Sequence, residues 1–285
     1  MSEGPTPARR ALSPARVLTL RAGRWSERGD RLAGEEPLEV RVVAPGGEPQ
    51  RVAITMRTPG ADFALAVGLL VGEGIIAPGD VERVSYCTEL EQEQAFNTVR
   101  VRSRAALRGE IAARAYDVTS SCGVCGRSRL EDVTVRCAPV DDPATVDAAA
   151  ILAMPDALRA AQRTFGRTGS VHAAGLFTPE AEALCVHEDV GRHNAVDKVV
   201  GWAALEGMAD LRGHVLMVSS RLSFEIVQKA AVARAPVVCA VSGPSNLAVT
   251  AADALGITAI GFLRGDGMNV YSHAHRVTGR NDGGA

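Results

Sequence analysis

The chain reads as an α+β N-terminal domain followed by an α/β C-terminal domain, and three observations point there. From Leu38 to Val101, strand-like runs flank a single apolar helix in the order β-β-α-β-β. From Val146 onward, wholly apolar strands alternate with helices, the pattern of parallel strands covered on both faces. Between the two, Pro139-Val140-Asp141-Asp142-Pro143 reads as a linker.

Residues 1–16 are Pro-, Ala- and Arg-rich with no apolar period, which predicts a disordered tail; residues 279–285 form a second. The first domain, 17–118, holds LEVRVV (Leu38 to Val43) and RVAITM (Arg51 to Met56) around a Pro-Gly-Gly turn, a hairpin signature. Pro59-Gly60 then opens an apolar helix with Asp62 in its first turn. Val81 to Tyr86 and Phe96 to Val101 read as two more strands.

Residues 119–143 are a cysteine-bearing loop and the linker, and 144–278 the second domain. There, Val146 to Phe165 reads as a helix interrupted near Pro155. Strands Ala173 to Phe177 and Ala183 to Val186 precede a helix from His193 to Leu205. Strands HVLMVS (His214 to Ser219), PVVCAV (Pro236 to Val241) and ITAIGFL (Ile257 to Leu263) then alternate with helices ending at Ala235 and Leu255. The order α-β-β-α-β-α-β-α-β resembles the cytidine deaminase-like fold.

Of the 285 residues 46% are hydrophobic and 22% charged, an ordinary globular composition. A net charge of −2 argues against nucleic acid as a partner. No apolar run approaches the ~20 residues of a membrane span. Arg9-Arg10 is not followed by an apolar signal core, so the expected location is the cytoplasm. Six cysteines in a chain of this length make no disulfide framework. Cys87, Cys137, Cys185 and Cys239 stand alone and read as structural.

Cys122 and Cys125 differ, because they sit in SSCGVCGR (Ser120 to Arg127). Glycine makes the backbone pliable, and Arg127 and Arg129 follow closely. Positive charge lowers a thiol's pKa and favours the reactive thiolate, so a nucleophilic or sulfur-carrying pair fits. A zinc knuckle shares the spacing, but no second ligand pair stands at metal-like spacing.

Three strands end in polar turn residues: Ser219-Ser220-Arg221, SGPSN (Ser242 to Asn246) and Arg264-Gly265-Asp266-Gly267. Ligands of open α/β sheets bind beyond the carboxyl ends of strands, where helix N-termini accept anions. Ser220 and Ser245 fit either phosphate contacts or plain helix N-caps. The loop Glu188 to His193 is either a charged helix entry or a positioning site for a ligand or for the cysteine loop. His172 at a strand start is either a structural hydrogen-bonding residue or functional, and Glu225 and Lys229 fit a helix-surface ion pair. A zinc deaminase needs H-x-E and P-C-x-x-C. This chain has His193-Asn194-Ala195 and Ser219-Ser220-Arg221-Leu222 instead, so the fold is expected without the zinc site and without a metal of its own.

Together the motifs resemble the FdhD family, the formate dehydrogenase accessory sulfurtransferases. The matching runs are Arg57 to Ile75, SSCGVCG, TGSVHAA (Thr168 to Ala174), Glu188 to Lys198, Ser219 to Glu225, Ser242 to Val249 and Gly261 to His273. The resemblance implies transfer of persulfide sulfur from a cysteine desulfurase to molybdenum in bis-molybdopterin guanine dinucleotide, for formate dehydrogenase. It implies Cys122 as the persulfide carrier, with Cys125 relaying or resolving, and a homodimer. Phe262, Leu263, Arg264, Gly265, Asp266 and Gly267 would bind the cofactor, with Ser220 and Ser245 near its phosphates. A cofactor-binding chaperone without sulfur chemistry is the alternative. Ser170 and Ser220 stand where the family commonly has glycine, and Gly267 where an arginine is expected.

Overall fold

A computed structural model of the chain describes residues 11–87, 95–108, 116–118 and 137–279. Strands Leu12–Arg21 (β1) and Arg24–Ala33 (β2) form an antiparallel hairpin, which corrects the expected tail of residues 1–16 from Leu12 onward. Ala22 and Gly23 at φ 48° and 75° make the two-residue left-handed turn whose twist matches paired strands. Leu18, Leu20 and Trp25 stay exposed on one face, so this hairpin rests on its ladder and carries no burial signal that a sequence pattern reveals.

The expected β-β-α-β-β unit is present. Glu36–Val43 (β3) and Gln50–Arg57 (β4) pair as a hairpin, Asp62–Gly72 is α1, and Val81–Tyr86 (β5) and Thr98–Ser103 (β6) follow. With Tyr116–Val118 (β7) they make a five-stranded sheet in the order β5-β6-β3-β4-β7, β7 running parallel to β4.

Val146–Asp147 (β8) precedes helix Ala148–Ala161 (α2) and the short turn of helix Phe165–Thr168 (α3). α2 runs straight through Pro155, contrary to the expected break, and it stops before Phe165. An interior proline costs ~3 kcal/mol. Burial of Ile151, Met154 and Leu158, spaced along one face, returns ~1.5–3 kcal/mol each and outweighs it.

His172–Phe177 (β9), Ala183–Asp189 (β10), Arg192–Leu205 (α4), Val215–Val218 (β11), Phe224–Val232 (α5), Val237–Ala240 (β12), Asn246–Ala254 (α6), Thr258–Arg264 (β13) and Gly267–Val270 (β14) follow. A last short strand, Val277–Thr278 (β15), pairs with β8. The six-stranded sheet has the order β10-β9-β11-β12-β13-β14. β11, β12 and β13 pair in parallel, and a strand paired antiparallel flanks them on each side. The chain is thus mixed α/β with several sheets.

Alternate residues of β11 show the layering. Val215 and Met217 pack toward Ile151, Met154 and Leu158 of α2, while Leu216 and Val218 join the cluster of α4, α5 and α6. That second cluster also holds Leu38, Val99 and Leu65, so one apolar core runs through both sequence-predicted units. α1 lies at its centre. A Cβ added at Gly68 would sit 1.8 Å from the Asp197 carbonyl oxygen, and one at Gly201 1.8 Å from that of Ala64. Glycine therefore lets the α1 and α4 backbones touch.

Candidate functional site

Where β11, β12 and β13 end, a cavity of about 600 Å³ opens beneath α2. Ser219, Val241 and Leu263-Arg264-Gly265 form its sheet side. Arg159 and Gln162 at the end of α2 face them, and Ser170 and His172 close the cavity from the strand start. The Arg159 guanidinium stacks over the Phe165 ring at 4.6 Å, which orients it at the rim. Neither Arg159 nor Arg264 is ion-paired with a carboxylate among the described residues, and Asp156 is the single acid lining the cavity among them. Burial holds the His172 imidazole below its ordinary pKa, with Arg192 and then His193 adding to the shift against the pull of Asp189. His172 is therefore neutral at physiological pH. Two guanidinium groups, a neutral imidazole and serine hydroxyls make a lining suited to a phosphate-bearing ligand.

The predicted binding residues divide around this cavity. Leu263, Arg264 and Gly265 line it, whereas Asp266 and Gly267 lie at the exposed tip of the β13–β14 hairpin. The Arg264 to Gly267 turn thus links two antiparallel strands and leads into no helix, because Gly265 at φ 59° reverses the chain there. Phe262 sits on the other side of β13 at φ 53°, a conformation that costs a non-glycine residue energy and concentrates at functional positions. Its ring, 41% exposed, lies over Gly243, where an added Cβ would meet it at 2.7 Å.

Ser220 is not at a helix N-terminus. Its hydroxyl donates to the Arg221 carbonyl at 3.0 Å, and α5 begins later with Ser223 as its N-cap. Ser219, which does line the cavity, accepts the Ala173 N–H at 2.9 Å. Ser245 is the N-cap of α6, accepting from the Ala248 N–H at 3.2 Å, and lies outside the cavity lining. Cys122 and Cys125 lie outside the described residues. The partner of Arg264 across the cavity, Arg159, carries no local motif and comes from another segment of the chain, so only tertiary structure reveals it.

The Glu188 to Lys198 run divides into structural and open groups. Buried Asp189 accepts from Thr58 N (3.1 Å), Gly191 N (2.9 Å), Asn194 Nδ2 (3.0 Å) and Lys198 Nζ (2.7 Å), tying α4 to the end of β4. Glu188 accepts from the Thr164 and Phe165 N–H groups at 2.7 Å each, fixing α3. Lys229 is buried against Asp197 at 2.7 Å, and burial raises the Asp197 pKa even against this partner. Glu225 instead meets His193 Nε2 at 2.8 Å, so the expected Glu225–Lys229 surface pair is two separate pairs. The bond from His193 holds the Glu225 carboxyl below its ordinary pKa.

Burial pushes the Cys185 thiol up to about 12, and that of Cys239 above its ordinary range. Both are poor nucleophiles, as their apolar strands suggest. Among the described residues no cluster of three His, Cys, Asp or Glu side chains is placed to hold a metal ion. No described helix is long and apolar enough to cross a membrane.

A family model for the FdhD/NarQ family matches residues 33–278. The chain belongs to the FdhD/NarQ family. The protein named "Sulfur carrier protein FdhD" from Mycobacterium tuberculosis is 49% identical over 278 residues, covering 94% of this chain and 99% of that one. The protein of the same name from Streptomyces avermitilis is 47% identical, covering 92% and 94%. A crystal structure of a candidate formate dehydrogenase accessory protein from Desulfotalea psychrophila superimposes with a TM-score of 0.71. It covers 94% of this chain and 100% of that one at 21% identity, which shows a shared fold.

Proposed function

We propose that this FdhD/NarQ protein is a cytoplasmic sulfur carrier and sulfurtransferase needed for formate dehydrogenase activity. Cys122 receives persulfide sulfur from a cysteine desulfurase, with Cys125 relaying it or resolving the intermediate. The acceptor is the molybdenum of bis-molybdopterin guanine dinucleotide, which is cargo for the protein. Relatives 47–49% identical over more than nine-tenths of the chain bear the name sulfur carrier protein, which supports the role.

The observation that carries the acceptor half is the cavity lined by both Arg159 and Arg264. A pyrophosphate accepts bidentate hydrogen bonds from guanidinium groups. Ser219 and neutral His172 complete a polar lining without adding negative charge. Phe262, exposed on the same strand end, offers a face on which a guanine can stack. Cofactor contacts by Asp266 and Gly267, and by Ser245 at its helix N-terminus, belong to the same proposal. Arg159 supplies a cation to a site where Gly267 supplies none.

The fold reading that goes with this proposal is a cytidine deaminase-like sheet without the zinc site, and a homodimer is expected. Sedimentation of the purified chain tests the dimer. Among the described residues the cavity lining holds no cysteine, and a cofactor-carrying chaperone without sulfur chemistry is a second reading. A Cys122→Ala, Cys125→Ala double variant separates the two. Loss of formate dehydrogenase activation in cells supports the sulfurtransferase, and full activation supports the chaperone.

A further inference from the structure

We propose that Phe165 and Glu188 are positioning residues for Arg159. The Phe165 ring sets the direction of the Arg159 guanidinium, and Glu188 holds that ring in place. This role rests on the reading that the cavity beneath α2 takes a phosphate-bearing ligand, and it names what readies one of the two cavity arginines.

Arg159 stands exposed on the last turn of α2. A free arginine there would spread over many rotamers, and an arriving anion would have to order it. The guanidinium carbon instead lies 4.6 Å from the centroid of the Phe165 ring, and both residues line the cavity. Six positions separate them in sequence, a spacing that puts side chains on different faces of one continuous helix. They meet because α2 ends at Ala161 and a new turn of helix, α3, starts at Phe165.

The ring is not spent on the core. Phe165 is half-buried and, among the described residues, joins neither apolar cluster. The backbone beneath it is clamped from both ends. Glu188 Oε1 accepts the Phe165 N–H and Oε2 the Thr164 N–H, each at 2.7 Å. Gly169, left-handed at φ 67°, donates its N–H to the Phe165 carbonyl at 2.8 Å. Glu188 is anchored in turn, because its own carbonyl accepts from Lys198 Nζ at 3.1 Å. Contacts thus run from buried Lys198 through Glu188 and Phe165 to Arg159 at the cavity. An arginine ordered in advance loses less freedom when a phosphate arrives, so the relay raises affinity through Arg159.

Two measurements on the full-length protein test the relay. In NMR spectra without ligand, the Phe165 ring current should shift the Arg159 Nε–H upfield. The shift should collapse in Phe165→Leu, which keeps an apolar side chain but no aromatic face, and persist in Phe165→Trp. It should shrink in Glu188→Gln, where one amide oxygen must serve two N–H donors. In calorimetric titration with GDP, Phe165→Leu should bind about two- to fivefold more weakly than the wild type, the size of an exposed cation–π contact. Phe165→Trp should restore the affinity. In the Arg159→Ala background, Phe165→Leu should weaken GDP no further, which a merely structural role for the ring would not produce. An Arg159 signal without the ring-current shift, or a Phe165→Leu effect that survives undiminished in the absence of Arg159, overturns the relay and leaves the cavity reading standing. Unchanged GDP affinity in Phe165→Leu does the same. A wild type that binds no GDP overturns the cavity reading and the relay with it.

Discussion

Lys198 Nζ lies 2.7 Å from Asp189 Oδ2, and neither side chain is more than 2% exposed. The lysine also donates to the carbonyls of Thr58 (2.9 Å) and Glu188 (3.1 Å), so one buried cation joins α4, the end of β4 and the end of β10. A charge buried this deeply is tolerable only with all its partners in place.

Lys198→Met should accordingly destabilise the protein by ~3–5 kcal/mol, the cost of an uncompensated buried carboxylate. Urea unfolding followed by circular dichroism measures it. A loss under about 1 kcal/mol, the ceiling for exposed pairs, would mean that this network does not hold the two sheets together.

Gly201→Ala tests the contact between α1 and α4. The new methyl would lie 1.8 Å from the Ala64 carbonyl oxygen, and backbone cannot yield cheaply there. The two helices must separate, costing about 1–3 kcal/mol or more by overpacking, although alanine is the better helix former. A rise in the thermal midpoint would contradict the packing described.

Acid should weaken the fold through His187. Burial holds its pKa down at about 4, against 6.5 for the free side chain, and Lys198 adds to the shift. Between those values the unfolded chain binds a proton that the folded chain refuses, so stability falls as pH drops through that window. Glu225, depressed by His193, works in the same direction at lower pH. Denaturant midpoints measured across the window should fall less steeply for His187→Gln than for the wild type. Parallel curves would exclude this histidine as the cause.

The proposed nucleotide site makes a paired prediction. GDP, standing for one end of the cofactor, should bind the wild type, and Arg264→Ala and Arg159→Ala should each weaken it by about 1.5–3 kcal/mol. Calorimetric titration measures both. Loss at Arg264 alone would remove Arg159 from the site, and no change at either would move the ligand elsewhere.

Much of this was legible in the residues. The hairpin around Ala44 to Glu48, the apolar α1 and the strand–helix alternation after His214 all appear as expected, because burial imprints periodicity. The β1–β2 hairpin was not, since its apolar residues face solvent and proline and arginine dilute the pattern. The helix continues past Pro155 because three buried side chains on one face outweigh a missing N–H, a balance invisible to local rules. Of the candidate cavity's lining, Arg264 was legible as a strand-end residue and the serines only in part. Ser219 and not Ser220 lines the cavity because α5 starts at Phe224, later than the serine run suggests. Arg159 and the His193–Glu225 pair are products of long-range packing and leave no local signature.

The central claim is that Cys122 carries sulfur, and one measurement addresses it directly. The full-length protein is incubated with a cysteine desulfurase and cysteine, and its peptides are weighed without reductant. One added sulfur atom on the Cys122 peptide, absent in Cys122→Ala together with formate dehydrogenase activation in cells, is the result the account predicts. An unmodified Cys122 peptide, or a Cys122→Ala protein that still activates formate dehydrogenase, would contradict it.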